Sequence, residues 1–267
     1  MSIQYRGGEA GVMNGIDLSK AILLLPAHNE AEAIADVIDE IKRVRMPDGI
    51  EFEIMVIDSG CTDRTAEIAL EKEARVFSAD RGKGRAVRRA LKTLDNNYDY
   101  ILIMDSDYTY SPRELPVLLE ALAVGHEVAM TYRAKGLMEK EAMTQINRFG
   151  NRALTSLANF LYGTNINDVC TGMWGFQAEV AKNLPLKSDG FTLEADLFVN
   201  VAHRAWDIVE VPVAYRKRRG NTKLIVSDGL KIGWFLVRRS GLRGWLKLLG
   251  VIVVVAGLVY IAISAFS

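Results

Sequence analysis

Cysteine and histidine are scarce, two and three in 267 residues, and that scarcity removes several functions at the outset. Cys61 and Cys170 lie far apart, so neither a zinc motif nor a disulfide framework is offered, and a reducing compartment fits. No base stands beside either thiol in the sequence, which leaves both as small apolar fillers. His28, His126 and His203 show no metal-ligand spacing and read as structural or surface groups. Neither sign of charge is in excess, with 33 basic and 33 acidic residues, so nothing points to nucleic acid as a partner. The chain lacks a GxxxxGK[ST] phosphate loop, which disfavours nucleoside triphosphate hydrolysis. It also lacks internal repeats and low-complexity segments. Residues 1–20 contain no apolar run of the signal-peptide kind and read as a loose leader.

What is present is a regular alternation of strands and helices. Buried strands are predicted at Ala21–Leu25, Phe52–Ile57, Arg75–Phe77 and Tyr100–Met104, each ending in a polar loop. Helices carrying Ile34, Val37, Ile38 and Ile41, then Ala66 to Leu70, then Arg85 to Leu94, fall between them. This pattern predicts a mostly parallel sheet with helices on both faces. Beyond it the spacing predicts a helix over Pro112–Val124 and a strand over Glu127–Tyr132. A long helix over Glu139–Tyr162, or two with a break near Gly150, comes next. Gly172–Phe176 is a glycine-interrupted segment, Gly190–Arg204 a helix, and Ile208–Ala214 an edge strand because of Pro212.

Ligands of open α/β sheets sit beyond the carboxyl ends of the strands. There the Tyr100–Met104 strand runs into Asp105 and Asp107. Two hard oxygen ligands with open positions suit a divalent cation that also holds substrate phosphates; a polar loop capping the next helix is the plainer alternative. Asp58 is placed to accept a hydrogen bond from a base or ribose, and Lys83 and Arg81 to meet a pyrophosphate.

The C-terminal region is different in kind. Between Arg216 and Lys247 stand ten basic residues and one acid, Asp228. Residues 227–247 pair apolar Ile232, Phe235 and Leu236 with Lys231, Arg238 and Arg239, as in a helix lying among lipid headgroups. Leu248–Ser267 is twenty residues without a charge, about the length that spans a bilayer core. Basic residues flank it on the N-terminal side only, so the positive-inside rule predicts a single-pass protein with its catalytic portion cytoplasmic.

Four motifs in order carry a family resemblance: Pro-Ala-His-Asn-Glu (26–30), Ile-Asp-Ser-Gly-Cys-Thr-Asp-Arg-Thr (57–65), Gly-Lys-Gly-Arg-Ala (82–86) and Asp-Ser-Asp (105–107). Over about Ala21–Leu224 the chain resembles the family 2 glycosyltransferases of GT-A fold, above all the dolichyl-phosphate mannosyl- and glucosyltransferases. The resemblance implies a Rossmann-like GT-A catalytic domain over 21–226, then the amphipathic helix at 227–247 and a transmembrane helix at 248–267. It implies that Pro26, Ala27, His28, Glu30, Asp58, Asp80, Lys83 and Ser106 meet the nucleotide. Asp105 and Asp107 would hold Mg²⁺ or Mn²⁺ on the donor pyrophosphate. Arg133, Arg148, Arg216, Arg218 and Lys223 would grip the acceptor phosphate, and Asp168, in a segment like the family's Asp-x-x-Ser/Thr-Gly, would orient a sugar hydroxyl or the acceptor.

Two departures bear on the donor. Ser59 replaces the usual second Asp of the Asp-Asp-Gly-Ser motif, and Thr109 stands where mannosyl-phosphate synthases often carry Gln. The implied activity is inverting transfer of a hexose from a nucleotide sugar, UDP-hexose favoured over GDP-mannose, to a polyprenyl phosphate, supplying protein or cell-surface glycosylation. The alternatives are transfer to a sugar hydroxyl with Asp168 or Glu194 as base, a nucleotidyltransferase, or a non-catalytic nucleotide-sugar binder.

Overall fold

The computed structural model describes residues 19–220 and 226–265, the side chains of 226 and 255–265 excepted. The leader up to residue 18, and Lys223, lie outside the described residues. β1 (Ser19–Ala27), α1 (Ile34–Arg43), β2 (Ile50–Ser59), α2 (Thr65–Glu71), β3 (Arg75–Ala79), α3 (Lys83–Thr93) and β4 (Tyr100–Met104) alternate as the spacing predicts. A 3₁₀ turn at Pro112–Glu114 leads into α4 (Leu115–Ala123) and β5 (Val128–Met138). The chain then continues through α5 (Gln145–Tyr162), β6 (Met173–Gln177), α6 (Ala178–Lys182), α7 (Leu193–Arg204), β7 (Ile208–Tyr215), α8 (Val226–Arg239) and α9 (Gly241–Ala265).

The strands form one seven-stranded sheet in the order β3-β2-β1-β4-β6-β5-β7. All neighbours are parallel except β6, which runs antiparallel to both β4 and β5. The side-chain period of two splits the strands between two cores. Ile22, Leu24, Ile101 and Ile103 face α3, α5 and α7, whereas Ala21, Leu23, Leu25 and Leu102 face α1 and α4. Because β1 to β4 are parallel, the loops after Ala27, Ser59, Ala79 and Met104 emerge along one edge.

Three elements differ from the sequence expectation. The glycine-interrupted segment is β6; Gly175 lets α4 close on the sheet, since a Cβ there would stand 3.2 Å from Leu122 Cδ1. The long helix begins at Gln145, where the Thr144 side chain accepts the Asn147 N–H at 3.1 Å, and runs unbroken through Gly150. Nothing lies within 4 Å of a Cβ built at Gly150, and its one weak position is carried by the turns around it. The third is 227–247, which is two helices rather than one, parted at Ser240, with Gly241 at φ +65° opening the second.

The first of these is docked on the domain. Ile232 and Leu236 of α8 are buried in the core beside α5 and α7, and Tyr162 Oη donates to the Leu236 carbonyl at 2.8 Å. The apolar residues expected to meet headgroups are therefore spent on protein packing, and Leu230 and Trp234 are the ones exposed. Among the described residues no helix is long and apolar enough to cross a membrane. The second half of the predicted span, from residue 255, lies outside the described side chains.

Candidate active site

The edge at the ends of β1–β4 is built by mutual bracing of the sequence motifs. Ser106 Oγ donates to the Pro26 carbonyl at 2.8 Å, tying the ends of β4 and β1. His28 Nδ1 contacts the Ser59 carbonyl at 3.0 Å. Asn29, in the left-handed region at φ +53°, accepts the Thr62 N–H at 2.8 Å. Asp58 Oδ1 accepts the Cys61 N–H at 2.7 Å. Asp63 receives the Ala31 N–H at 3.1 Å and the Thr65 N–H at 3.0 Å, and the Glu30 N–H donates to Thr65 Oγ1 at 2.8 Å. The first two motifs thus form one hydrogen-bonded floor.

The third motif joins it through the residue that departs from the family pattern. Ser59, 2 % exposed, accepts the Gly82 N–H at 3.0 Å and lies 3.4 Å from the Asp80 carbonyl. Gly82 has φ +126°, and a Cβ on it would lie 2.3 Å from the Asp189 carbonyl oxygen; one on Gly84 would lie 2.5 Å from that of Ser188. The Gly-x-Gly therefore lets segment 188–189 close over the first turn of α3, where Lys83 sits.

Lys83 Nζ bridges Asp105 and Glu194, a residue of α7. Burial works against this ammonium, but the two carboxylates outweigh it and raise its pKa. Burial pushes Asp105 up to about 6 despite Lys83. Asp107 Oδ1 accepts the Thr109 N–H at 3.1 Å and its hydroxyl at 2.5 Å, while Oδ2 pairs with Arg218. Arg218 also reaches Glu30 at 2.5 Å. Asp105 is fixed by its own N–H, 3.1 Å from the Gly172 carbonyl. The Gly172 N–H is held in turn by Tyr110 Oη at 2.6 Å.

Asp168 and Arg133 form a buried fork: Nε to Oδ2 at 2.6 Å and Nη2 to Oδ1 at 2.7 Å. Asn151 Nδ2 and the Cys170 N–H also donate to Asp168 Oδ1, at 2.9 and 3.1 Å. Burial opposes the Asp168 charge, yet Arg133 and these donors hold its pKa below the usual carboxylate range.

The structure brings together Glu30, Lys83, Asp105, Asp107 and Arg218 among the predicted residues, with Pro26, Ala27, His28 and Asp58 in the adjoining floor. Others it places differently. Ser106 is 2 % exposed, and its hydroxyl braces two strands. Asp80 lies at the surface, 3.7 Å from Arg89. Arg216 is consumed by Glu40 at 2.8 Å and by the carbonyls of Tyr108 and Tyr110, and stacks 3.8 Å from the Tyr108 ring. It anchors the end of β7. Arg148 is exposed in the first turn of α5 and makes no ion pair among the described residues. Asn151 escaped the sequence reading; its signal is a polar residue on the inner face of α5, beside apolar Leu154, Ala158 and Leu161.

Among the described residues no group of three or more His, Cys, Asp or Glu is placed to hold a metal. Asp105 and Asp107 nonetheless fit one. They are an all-oxygen pair, and each draws a cationic side chain to itself. Mg²⁺ and Mn²⁺ favour one or two carboxylates shared with substrate phosphates over all-protein cages.

Comparison with known proteins agrees with this geometry. The chain is 35% identical over 219 residues to the dolichyl-phosphate hexose transferase of Haloferax volcanii, covering 81% of this chain and 92% of that one. It is 34% identical to glycosyltransferase AglJ of the same organism, over 73% of this chain but only 63% of AglJ, less than two thirds of its length. Among solved structures, glucosyl-3-phosphoglycerate synthase of Mycobacterium tuberculosis, crystallised with Mn²⁺, UDP and glucosyl-3-phosphoglycerate, shares the fold. Its TM-score is 0.66 at 24% identity, over 84% of this chain and 80% of that one. Residues 22–184 match the model of glycosyl transferase family 2, and with the motifs assembled at one sheet edge the chain belongs to that family.

Proposed function

We propose that this glycosyltransferase moves a hexose from a nucleotide sugar, UDP-hexose before GDP-mannose, to a polyprenyl phosphate, with inversion at the anomeric carbon. One observation carries the choice of acceptor. Both carboxylates that could deprotonate a sugar hydroxyl are already engaged: Asp168 by the Arg133 fork and Glu194 by Lys83. A phosphate needs no such base, since its second pKa is about 6 and it is ionised near neutrality. The name of the H. volcanii relative, a dolichyl-phosphate hexose transferase, supports the same acceptor.

The residues divide the work by charge. The floor made by 26–30 and 57–65 cradles the nucleoside, with Asp58 at its end. Asp105 and Asp107 would hold the divalent ion, Mg²⁺ or Mn²⁺, which would neutralise the departing diphosphate. Lys83, already between Asp105 and Glu194, orients toward the same negative charge. Arg148 lies exposed for the incoming phosphate, and Arg218 stands at Asp107 and Glu30. Thr109 braces Asp107 in place of a side chain that would reach farther, which supports UDP-hexose over GDP-mannose. Catalysis is then positioning and electrostatics, with little proton chemistry. The exposed apolar residues of α9 support a membrane location, where such an acceptor resides.

The test has two steps. Thermal shift with Mn²⁺ should register UDP-glucose more strongly than GDP-mannose, since a ligand of the folded state raises its melting point. Labelled sugar should then pass to dolichyl or undecaprenyl phosphate. Transfer to a glycoside hydroxyl and none to the lipid phosphate would sink the proposal.

A further inference from the structure

We infer that the outer face of α5, inside the catalytic domain, is a second membrane-contact surface, fitted to an anionic bilayer. This choice of occupant rests on the lipid acceptor proposed above; the geometry does not. The inner face of α5 packs in the core through Leu154, Ala158 and Leu161. Its outer face carries large apolar residues among polar ones: Ile146 is 73% and Phe149 76% exposed, with Phe160 farther along the same side. A soluble helix normally turns polar residues outward. Large exposed apolar rows mark an interaction site.

The row does not end with α5. Lys247 of α9 donates to the Phe160 carbonyl at 2.7 Å and lies 5.7 Å from the Phe160 ring. Trp234 of α8 meets Trp245 of α9 edge-on, ring centroids 6.3 Å apart. The three helices thus pack on one another, and each carries exposed apolar residues. Indole rings suit the boundary between headgroups and chains.

Charge selects the occupant. Arg148 and Arg152 lie on α5, Arg238 on α8 and Arg243 on α9; all four are exposed. No acidic residue occurs in α5, and the one acid in 226–254, Asp228, is 5% exposed. A second copy docking face to face would set these cations against their own kind, since a two-fold interface pairs like patches. A bilayer with anionic headgroups meets them with opposite charge. On this surface Arg148 lies at headgroup depth, on the helix whose Asn151 also steadies Asp168.

The full chain, spin-labelled at position 149 (Phe149→Cys) and bound to phosphatidylcholine–phosphatidylglycerol vesicles, tests the surface; labelled wild type corrects for Cys61 and Cys170. Adding vesicles should lower accessibility of the label to a water-soluble nickel complex severalfold and raise its accessibility to oxygen. A label at position 70 (Leu70→Cys), exposed on α2 across the sheet, should stay in water. A label at 149 as nickel-accessible as that at 70 overturns the inference. So does spin–spin broadening at 149 without lipid, which would mean a second copy covers the row. An aqueous 149 with intact transfer to polyprenyl phosphate removes this surface alone. A lipid-buried 149 with transfer only to hydroxyls removes only the proposed acceptor.

Discussion

A methyl group on Gly172 would lie 2.1 Å from Asp105 Oδ2, so this glycine sets where the first of the two proposed metal ligands stands. Gly172→Ala should weaken Mn²⁺ binding about 10–100-fold, the usual cost of disturbing a group behind a metal ligand, as read by titration with Mn²⁺ resonance. Asp107→Ala should leave the melting point within a few degrees, because Arg218 keeps Glu30, and should lower transfer by at least about 10²-fold. Asp168→Asn is different: it strands the buried Arg133 charge and should cost about 3–5 kcal/mol in a denaturant titration. The depressed Asp168 pKa gives the sign with pH. Its stabilisation is full above the unfolded value of about 3.9 and is lost as pH falls through the lower folded value. Acid unfolding of Asp168→Asn should lack that dependence.

At the level of elements, α3 owes its start to Gly82, whose φ of +126° and contact with Asp189 exclude a side chain. Gly82→Ala should destabilise the chain by about 1–3 kcal/mol and raise hydrogen exchange in both 83–86 and 187–190. The βα alternation up to Met104 was legible because each strand is a short apolar run closed by a polar loop. β6 was not, since Met173–Gln177 is held by pairing on both sides and not by its own pattern. Helix α8 misled for a related reason: Ile232 and Leu236 have the spacing of a lipid-facing row and of a core-facing row alike. The same limit applied to the site. Motifs located Asp105 and Lys83, but which basic residue pairs with which acid depends on segments more than a hundred residues apart, as Lys83 with Glu194 and Arg218 with Asp107. Arg216 and Arg218 are indistinguishable in sequence, yet one anchors a strand and the other reaches the carboxylates.

Over the whole molecule the charges cancel, 33 against 33, but the exposed cations of α5, α8 and α9 are gathered on one side of the sheet. Vesicle association of the full chain should therefore depend on salt. Raising ionic strength from 0.1 to 1 M, which shortens the screening length from about 10 to about 3 Å, should weaken binding to phosphatidylglycerol vesicles by about tenfold, about 1.4 kcal/mol. Vesicles of phosphatidylcholine alone should show little change.

The reversed strand in the middle of the sheet also has a consequence for synthesis. β5 leaves the ribosome with no partner, because β6, which joins it to β4, and β7, which closes its other side, are both made later. The half built on β1–β4 can settle while β5 waits, its unpaired edge exposed to neighbouring nascent chains. A chain stalled before Met173 should be a ready client for chaperones, and one released after Tyr215 should not.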